Sequence, residues 1–261
     1  MLNNQTFFPL ILSLLAGLST VIGAFILFFS KEENKKLITF ALSFSAGVMI
    51  TVSLTDLFIS SESTLSKYKG HVNGIIISLI FLFLGAIMAL LIDKFIPEKP
   101  NLYNSNSYLK SNEKLYRVGF VSMIALMIHN FPEGIATFIS GYQDTSLGIS
   151  IAIAIALHNI PEGISIAMPI YYSTKSKFTA FKYTLYSGLA EPIGALVAFL
   201  FLKPYINEII LAIVFSLVAG IMLYISFAEL IPAARQYKYH KTYLCSIFLG
   251  IFTMILSHIY H

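Results

Sequence analysis

Two copies of one polar motif carry the chemistry that this sequence could perform. The motif H-N-x-P-E-G occurs at residues 129–134 and again at residues 158–163, in two long apolar runs. A charged side chain near the centre of a membrane helix costs roughly 2.5–3.5 kcal/mol. Because the same costly residue types occur twice, we predict that a bound divalent metal between the two helices offsets this cost.

Helical spacing places the polar residues of each motif on one side of its helix. Residues three and four positions apart are neighbours on a helix surface. His129, Asn130 and Glu133 therefore project together on the first helix. The second helix repeats the arrangement with His158, Asn159 and Glu162. Imidazole and carboxylate ligands together favour Zn²⁺, Fe²⁺, Mn²⁺ or Co²⁺ over Ca²⁺ or Mg²⁺.

A third apolar run adds a carboxylate beside a proline. Glu191 and Pro192 lie within S-G-L-A-E-P-I-G, and each H-N-x-P-E-G motif also has a proline beside its glutamate. Proline lacks an N–H and leaves a carbonyl without its helical partner, which a membrane tolerates only where that carbonyl meets protein, water or a cation. We expect room for two ions bridged by Glu133 and Glu162, with the histidines toward one ion. Asn130, Asn159 and Glu191 would bind the other ion. The predicted metal ligands are therefore His129, Asn130, Glu133, His158, Asn159, Glu162 and Glu191.

Composition indicates a protein that crosses a membrane many times. Of the 261 residues, 57% are hydrophobic and 11% are charged, against about a quarter charged in soluble domains. The single cysteine, Cys245, excludes an intramolecular disulfide and a cysteine metal cluster. The basic residues are distributed by loop, so the positive net charge does not indicate nucleic-acid binding, and no catalytic cofactor is expected. The partners predicted are divalent metal ions and the lipid bilayer.

Eight apolar segments are each about long enough to cross ~30 Å of hydrocarbon. We predict an all-α membrane protein, one polytopic domain over residues 1–261, with a flexible cytoplasmic loop at 97–117. The predicted spans are 7–29, 37–59, 74–96, 118–140, 146–170, 180–202, 208–231 and 243–260. Lysines and arginines number 14 in the loops on one side and 3 on the other. We therefore predict a multi-pass protein of the cell (plasma or inner) membrane, with both termini outside the cytoplasm by the positive-inside rule.

An internal repeat relates the two ends of the chain. Residues 46–57 resemble residues 219–230, and an acidic residue recurs as Asp56 and then Glu229. The predicted directions of these spans are opposite, which indicates an inverted repeat of spans 1–3 and 6–8 around spans 4 and 5. Transporters often bind their substrate at the midplane of such a repeat. Gene duplication without mechanistic meaning is the alternative.

The doubled H-N-x-P-E-G and the S-G-x-x-E-P-x-G resemble the ZIP (Zrt/Irt-like) family of divalent metal transporters, and most closely its bacterial ZupT-like branch. The resemblance covers nearly the whole chain and implies a 3+2+3 inverted-repeat bundle that takes metal up toward the cytoplasm. By motif position it assigns the seven residues above as ligands of a binuclear site, and in some members a residue near Met49 contributes. It also implies that spans 1, 4, 5 and 6 move against spans 2, 3, 7 and 8. The transported ion would be Zn²⁺ or also Fe²⁺, Mn²⁺, Co²⁺ or Cd²⁺.

Other interpretations of the same residues stay open at this point. The doubled motif could be polar contact between helices, although such contacts are often worth less than ~1 kcal/mol. A metal-dependent intramembrane hydrolase is the alternative function, but H-E-x-x-H is absent from the sequence. Asp56 and Glu229 could line opposite ends of a pathway or be solvated helix ends. Gly85 fits a homodimer face or an internal contact equally well.

Overall fold

The computed structural model describes residues 4–29, 34–95, 107–202 and 207–257, and these form helices without strands. We number eight of them in chain order. They are α1 (Asn4–Phe29), α2 (Lys35–Lys69), α3 (His71–Phe95), α4 (Ser107–Gln143), α5 (Thr145–Thr174), α6 (Lys177–Val197 with a π-helical turn at Ala198–Leu202), α7 (Glu208–Arg235) and α8 (His240–Ser257). Seven are long and apolar enough to cross a membrane, and α8 carries a shorter apolar stretch, His240–Leu256. The prediction of an all-α membrane protein with eight helices is confirmed.

Polar caps at three helix starts account for the short connections. The side chain of Asn34 accepts hydrogen bonds from the backbone N–H groups of residues 36 and 37, both at 3.1 Å. Ser176 caps α6 and Asn207 caps α7 in the same manner. Gly70, with φ of +84°, separates α2 from α3. The three cap residues satisfy N–H groups that a helix start leaves without partners, so each helix can begin within a few residues of the one before it.

The prediction of a flexible loop over 97–117 is wrong for its last eleven residues. Residues 97–106 lie outside the described residues, but α4 begins at Ser107 and continues without interruption into the apolar span. Residues 107–117 contain neither proline nor glycine. Adding a residue to an existing helix costs far less than nucleating a new one, so the long span extends into this polar segment.

The helices divide into two groups. Helices α1, α4, α5 and α6 pack against one another and contain the polar motifs. In the second group, α3 packs on α7 and α2 packs on α8. The C-terminal part of α2, Phe58–Lys69, contacts both α3 and α7. This is the division of spans that the family resemblance implied.

Matching glycine contacts in the second group show that the sequence repeat is also a structural repeat. A Cβ atom on Gly47 of α2 would overlap the carbonyl oxygen of Ile247 in α8. The repeat-related Gly220 of α7 would meet the carbonyl oxygen of Leu82 in α3 in the same way. Both repeats also form a π-helical turn at the same place, Val52–Leu57 and Ile225–Leu230. Helix pairs α2–α8 and α7–α3 are therefore two copies of one packing arrangement.

A glycine that the sequence left ambiguous lies inside the protein. A Cβ atom on Gly85 of α3 would overlap the carbonyl oxygen of Leu217 in α7. Gly85 therefore serves a contact within one chain.

Candidate metal centre

Four motif side chains meet between α4 and α5. One carboxylate oxygen of Glu133, Oε1, lies 2.9 Å from Nε2 of His158 and 3.3 Å from Nε2 of His129. The same His129 nitrogen lies 3.1 Å from Oε1 of Glu162. Each helix therefore presents a histidine to a glutamate of the other helix. The cluster is almost entirely buried, and none of the four side chains exceeds 6% exposure.

The spacing of these atoms suits ligands of one transition-metal ion. One ligand atom each of His129, Glu133 and His158 lies within 4.8 Å of the other two. Two atoms that are each about 2.1 Å from a tetrahedral ion lie about 3.4 Å apart. The nitrogen–oxygen distances in the cluster are at or slightly below that separation. Imidazole nitrogen and carboxylate oxygen are also the donor types that Zn²⁺ takes in proteins.

The two asparagines and Glu191 form the neighbouring part of the site, next to α6. Asn159 donates one hydrogen bond to Oε2 of Glu191 at 2.9 Å and another to the carbonyl oxygen of Ala16 in α1 at 3.0 Å. Asn130 donates to the carbonyl oxygen of Ser187 at 3.2 Å. Each amide N–H₂ is thus held by the protein, which leaves its oxygen as the group that could bind a cation.

Small residues bring the supporting helices close enough to form this chamber. A Cβ atom on Gly134 would overlap the carbonyl oxygen of Glu191, so α4 and α6 touch backbone to backbone. Gly163 makes the equivalent contact with the carbonyl oxygen of Thr20, between α5 and α1. Both α4 and α5 remain helical through the motif prolines. The carbonyl oxygen of Pro161 accepts a hydrogen bond from the hydroxyl of Ser45 in α2 at 2.6 Å.

Many polar atoms of the site are buried and have no hydrogen-bond partner among the described residues. They are Nδ1 of His129, Oε2 of Glu133, Oε2 of Glu162, Oε1 of Glu191, and the amide oxygens of Asn130 and Asn159. An unsatisfied buried polar group costs about 1–3 kcal/mol, and more when it is charged. The contacts among the side chains, such as that of His158 with Glu133, leave these atoms without partners. Polar contact between helices therefore accounts for only part of the motif, and the remaining oxygen atoms are of the type that binds a cation.

The predicted pathway residues outside this chamber lie in the π-helical turns. Asp56 is half-buried and accepts a hydrogen bond from the Thr55 hydroxyl at 3.1 Å. Glu229 is buried, and its Oε1 lies 3.9 Å from Arg117 of α4. Arg117 also forms a 2.7 Å ion pair with Asp93 of α3. Glu229 is therefore not a solvated helix end, because it belongs to a polar cluster between α3, α4 and α7. Met49, to which the resemblance attached a weaker expectation, is fully buried in α2.

The contribution of α1 was not predicted from the sequence. The carbonyl oxygens of Ala16 and Ser187 hold the two asparagine amides, and Thr20 lies fully buried against α5. A signal was present, since A-G-L at residues 16–18 matches S-G-L at residues 187–189 in the span that carries Glu191. Aligning these two stretches would have placed α1 opposite α6.

The fold and the chamber together define a polytopic membrane protein with a buried cluster of metal-ligand type at the centre of an inverted repeat. Comparison with known proteins gives the family. The sequence model of the ZIP zinc transporter family matches residues 104–258. A protein named zinc transporter ZupT from Streptococcus mutans is 44% identical over 259 residues, covering 98% of both chains. The protein of the same name from Chlorobaculum parvum is 44% identical, over 98% of both chains. That from Clostridium perfringens is 42% identical, over 97% of this chain and 96% of its own. The chain belongs to the ZIP family, in its bacterial ZupT-like branch.

Proposed function

We propose that this protein is an uptake transporter that carries Zn²⁺ into the cytoplasm through the chamber between α4, α5 and α6. The observation that carries the proposal is the set of buried ligand atoms without partners at the meeting point of the two motifs. A cation would satisfy these atoms, and an intramembrane position is where a transporter of inverted-repeat design holds its substrate. Membership of the ZIP family supports divalent metal transport, and nothing in the comparisons supports the alternative of a hydrolase.

We assign the seven residues to two ions according to their contacts. His129, His158, Glu133 and Glu162 form one connected cluster and would hold the first ion. Asn130, Asn159 and Glu191 would hold the second through their unpartnered oxygens, with the two motif glutamates bridging. Fe²⁺, Mn²⁺, Co²⁺ and Cd²⁺ are further candidate substrates, because these donor types bind most divalent transition metals.

The membrane potential can drive this transport in the proposed orientation. The charge bias of the loops supports an orientation in the cell membrane with both termini outside the cytoplasm. Moving two positive charges inward across 100 mV releases roughly 4.6 kcal/mol. In mechanistic terms, a hydrated ion enters from outside, exchanges water for the motif side chains, and leaves when the site opens to the cytoplasm.

The two helix groups supply the moving parts. We propose that α1, α4, α5 and α6 shift as a unit against α2, α3, α7 and α8. Contacts that cross between the groups would break and re-form during each cycle. Two such contacts are the hydrogen bond from Ser45 to the carbonyl oxygen of Pro161 and the ion pair of Arg117 with Asp93.

Flux measurements on the purified protein test the proposal. Wild-type protein in lipid vesicles should take up Zn²⁺ when the interior is negative, and a His158→Ala variant should not. Matched uptake of Fe²⁺, Mn²⁺, Co²⁺ and Cd²⁺ would establish the order of preference. Wild-type vesicles that bind Zn²⁺ tightly but never accumulate it would contradict transport.

Accessibility labelling tests the orientation separately. In a Cys245→Ser background, a cysteine replacing the exposed Lys67, in the last turn of α2, should react with an impermeant thiol reagent added outside intact cells. A cysteine replacing the exposed Lys241, at the start of α8, should react only after the cells are opened. The reverse pattern would place both termini in the cytoplasm.

A further inference from the structure

The four helices around the chamber obey a pseudo-two-fold relation, of which the sequence shows only the doubled motif and the short match of residues 16–18 with residues 187–189. Residues of α5 correspond to residues of α4 numbered 29 lower, and residues of α6 correspond to residues of α1 numbered 171 lower. The contact of Gly134 with the Glu191 carbonyl oxygen matches the contact of Gly163 with the Thr20 carbonyl oxygen. Both numbering differences are satisfied by this pair of contacts.

Further contacts obey the same two differences. A Cβ atom on Gly194 would overlap the carbonyl oxygen of Phe131, and one on Gly23 would overlap that of Ile160. The asparagine bonds repeat the relation, since Asn130 donates to Ser187 and Asn159 donates to Ala16. Gly17 and Gly188 face each other across the axis. The relation therefore holds for backbone contacts and for side chains of the site.

Under this relation, Thr20 occupies the position that corresponds to Glu191. The Cβ atom of Glu191 would lie 3.2 Å from a Cβ on Gly17, and the Cβ of Thr20 would lie 3.3 Å from one on Gly188. Glu191 receives a hydrogen bond from Asn159. Thr20 thus faces the Asn130 side of the chamber as Glu191 faces the Asn159 side.

The hydroxyl of Thr20 is buried and has no hydrogen-bond partner within the described ranges. Other threonines in the helices bond the carbonyl oxygen four residues earlier, as Thr51 and Thr184 do at 2.9 Å. For Thr20 that carbonyl belongs to Ala16, which already accepts from the Ser19 hydroxyl at 2.6 Å and from the Asn159 amide at 3.0 Å. The usual local partner of a membrane threonine is therefore occupied, which leaves the hydroxyl available to a group in the chamber.

We propose that Thr20 binds the hydrated cargo ion, its hydroxyl accepting a hydrogen bond from a water that the ion keeps on the Asn130 side. This inference rests on the proposed function and extends it to α1. Threonine is two bonds shorter than glutamate, so its oxygen reaches a coordinated water where Glu191 reaches a ligand position. The second ion then has the carboxylate of Glu191 on its Asn159 side and a neutral hydroxyl on its Asn130 side. The water on the Asn130 side exchanges more readily than a carboxylate, so the ion is released from that side first.

Three substitutions at Thr20 test the proposal, because they should change Zn²⁺ binding in different directions. Thr20→Val keeps the branched shape without the hydroxyl and should weaken binding of one of the two ions roughly fivefold to tenfold. Thr20→Ser keeps the hydroxyl and should stay within twofold of wild type. Thr20→Glu places a carboxylate where the relation with Glu191 allows one. That variant should bind Zn²⁺ at least tenfold more tightly and release it more slowly, so that uptake at saturating Zn²⁺ falls.

The assay is Zn²⁺ titration of the full-length protein in lipid nanodiscs, paired with uptake into vesicles. Thr184→Val is the matched control, since it removes an equally buried hydroxyl that bonds its own helix, and it should bind Zn²⁺ as wild type does. A purely structural role for Thr20 would weaken binding in the Glu variant as well as in the Val variant. That result, or a Thr20→Val protein with wild-type affinity, would overturn the inference while wild-type binding still supports the transporter. A wild-type protein that neither binds nor carries Zn²⁺ would overturn both.

Discussion

Replacing Glu133 by glutamine should remove the charge shared by the two motif helices while preserving the size of the side chain. A single carboxylate oxygen of Glu133 faces Nε2 of His129 and Nε2 of His158, at 3.3 and 2.9 Å. The residue is 3% exposed, so bulk solvent does not screen its charge. The variant therefore tests whether the charge, and not only the shape, holds the ion.

The expected loss follows from the charge and its burial. Two unit charges about 4 Å apart attract by roughly 4 kcal/mol at an effective dielectric constant of about 20, and a divalent ion doubles this to roughly 8 kcal/mol. The neutral glutamine oxygen still attracts the ion, and the carboxylate gives up part of its interaction with the two histidines when an ion binds. If these effects together offset about 5 kcal/mol, the net loss is about 3 kcal/mol, or roughly 100-fold in the dissociation constant.

Titration calorimetry and vesicle uptake would measure this effect. Glu208→Gln is the matched control, because it makes the same substitution at a side chain that is 60% exposed at the start of α7. We expect the control to bind and transport as wild type does and Glu133→Gln to lose uptake at low Zn²⁺. A Glu133→Gln protein whose Zn²⁺ affinity stays within threefold of wild type would refute the bridging role.

Three substitutions elsewhere probe the frame around the site through thermal unfolding in detergent. Gly134→Ala should destabilise the protein by about 1–3 kcal/mol, because the new methyl group meets the backbone of α6. Gly141→Ala should cost less, because the nearest atoms to its methyl group are side-chain atoms of Pro9 at 3.1 Å. Equal losses would contradict the close approach of α4 and α6. Arg117→Gln should lower the free energy of unfolding by about 1.5–3 kcal/mol. Adding Asp93→Asn should recover part of that loss, since it removes the charge left behind. Strictly additive effects would show that the ion pair contributes nothing. Tyr172→Phe should cost about 1 kcal/mol, because its hydroxyl accepts a hydrogen bond from the N-terminal cap of α2 at 3.1 Å, and unchanged stability would argue against that bond.

The sequence was most informative where helical geometry alone decides position. A rise of about 1.5 Å per residue places His129, His158 and Glu191 at one depth, and the period of the helix puts each histidine beside its glutamate. The structure brings these side chains together as that argument requires. The division into two groups of four helices also agrees with what the family resemblance implied.

Features that depend on packing between distant helices escaped prediction. Every residue has a carbonyl oxygen, so no residue type marks Ala16 or Ser187 as the acceptor of an asparagine amide. In the sequence, Arg117 is one basic residue among several near the end of a loop. Its contacts with Asp93 and Glu229 form only where α3, α4 and α7 meet, which the sequence does not show. The helical start of α4 at Ser107 was hidden by its polar composition, which is as typical of a surface helix as of a loop.

The pseudo-two-fold relation separates what builds the site from what makes it function. Contacts that set distances between helices are paired across the axis. For example, the contact of Gly134 with the Glu191 carbonyl oxygen corresponds to that of Gly163 with the Thr20 carbonyl oxygen. The motif glutamates Glu133 and Glu162 are also paired, whereas the third carboxylate, Glu191, is opposite a threonine. With a carboxylate on both sides, the proposed second ion would be held equally on its Asn130 and Asn159 sides and would have no preferred side of release. The exchange of a carboxylate for a hydroxyl between Glu191 and Thr20, with the surrounding glycine contacts kept, would make the Asn130 side bind more weakly without disturbing the packing that positions both sides.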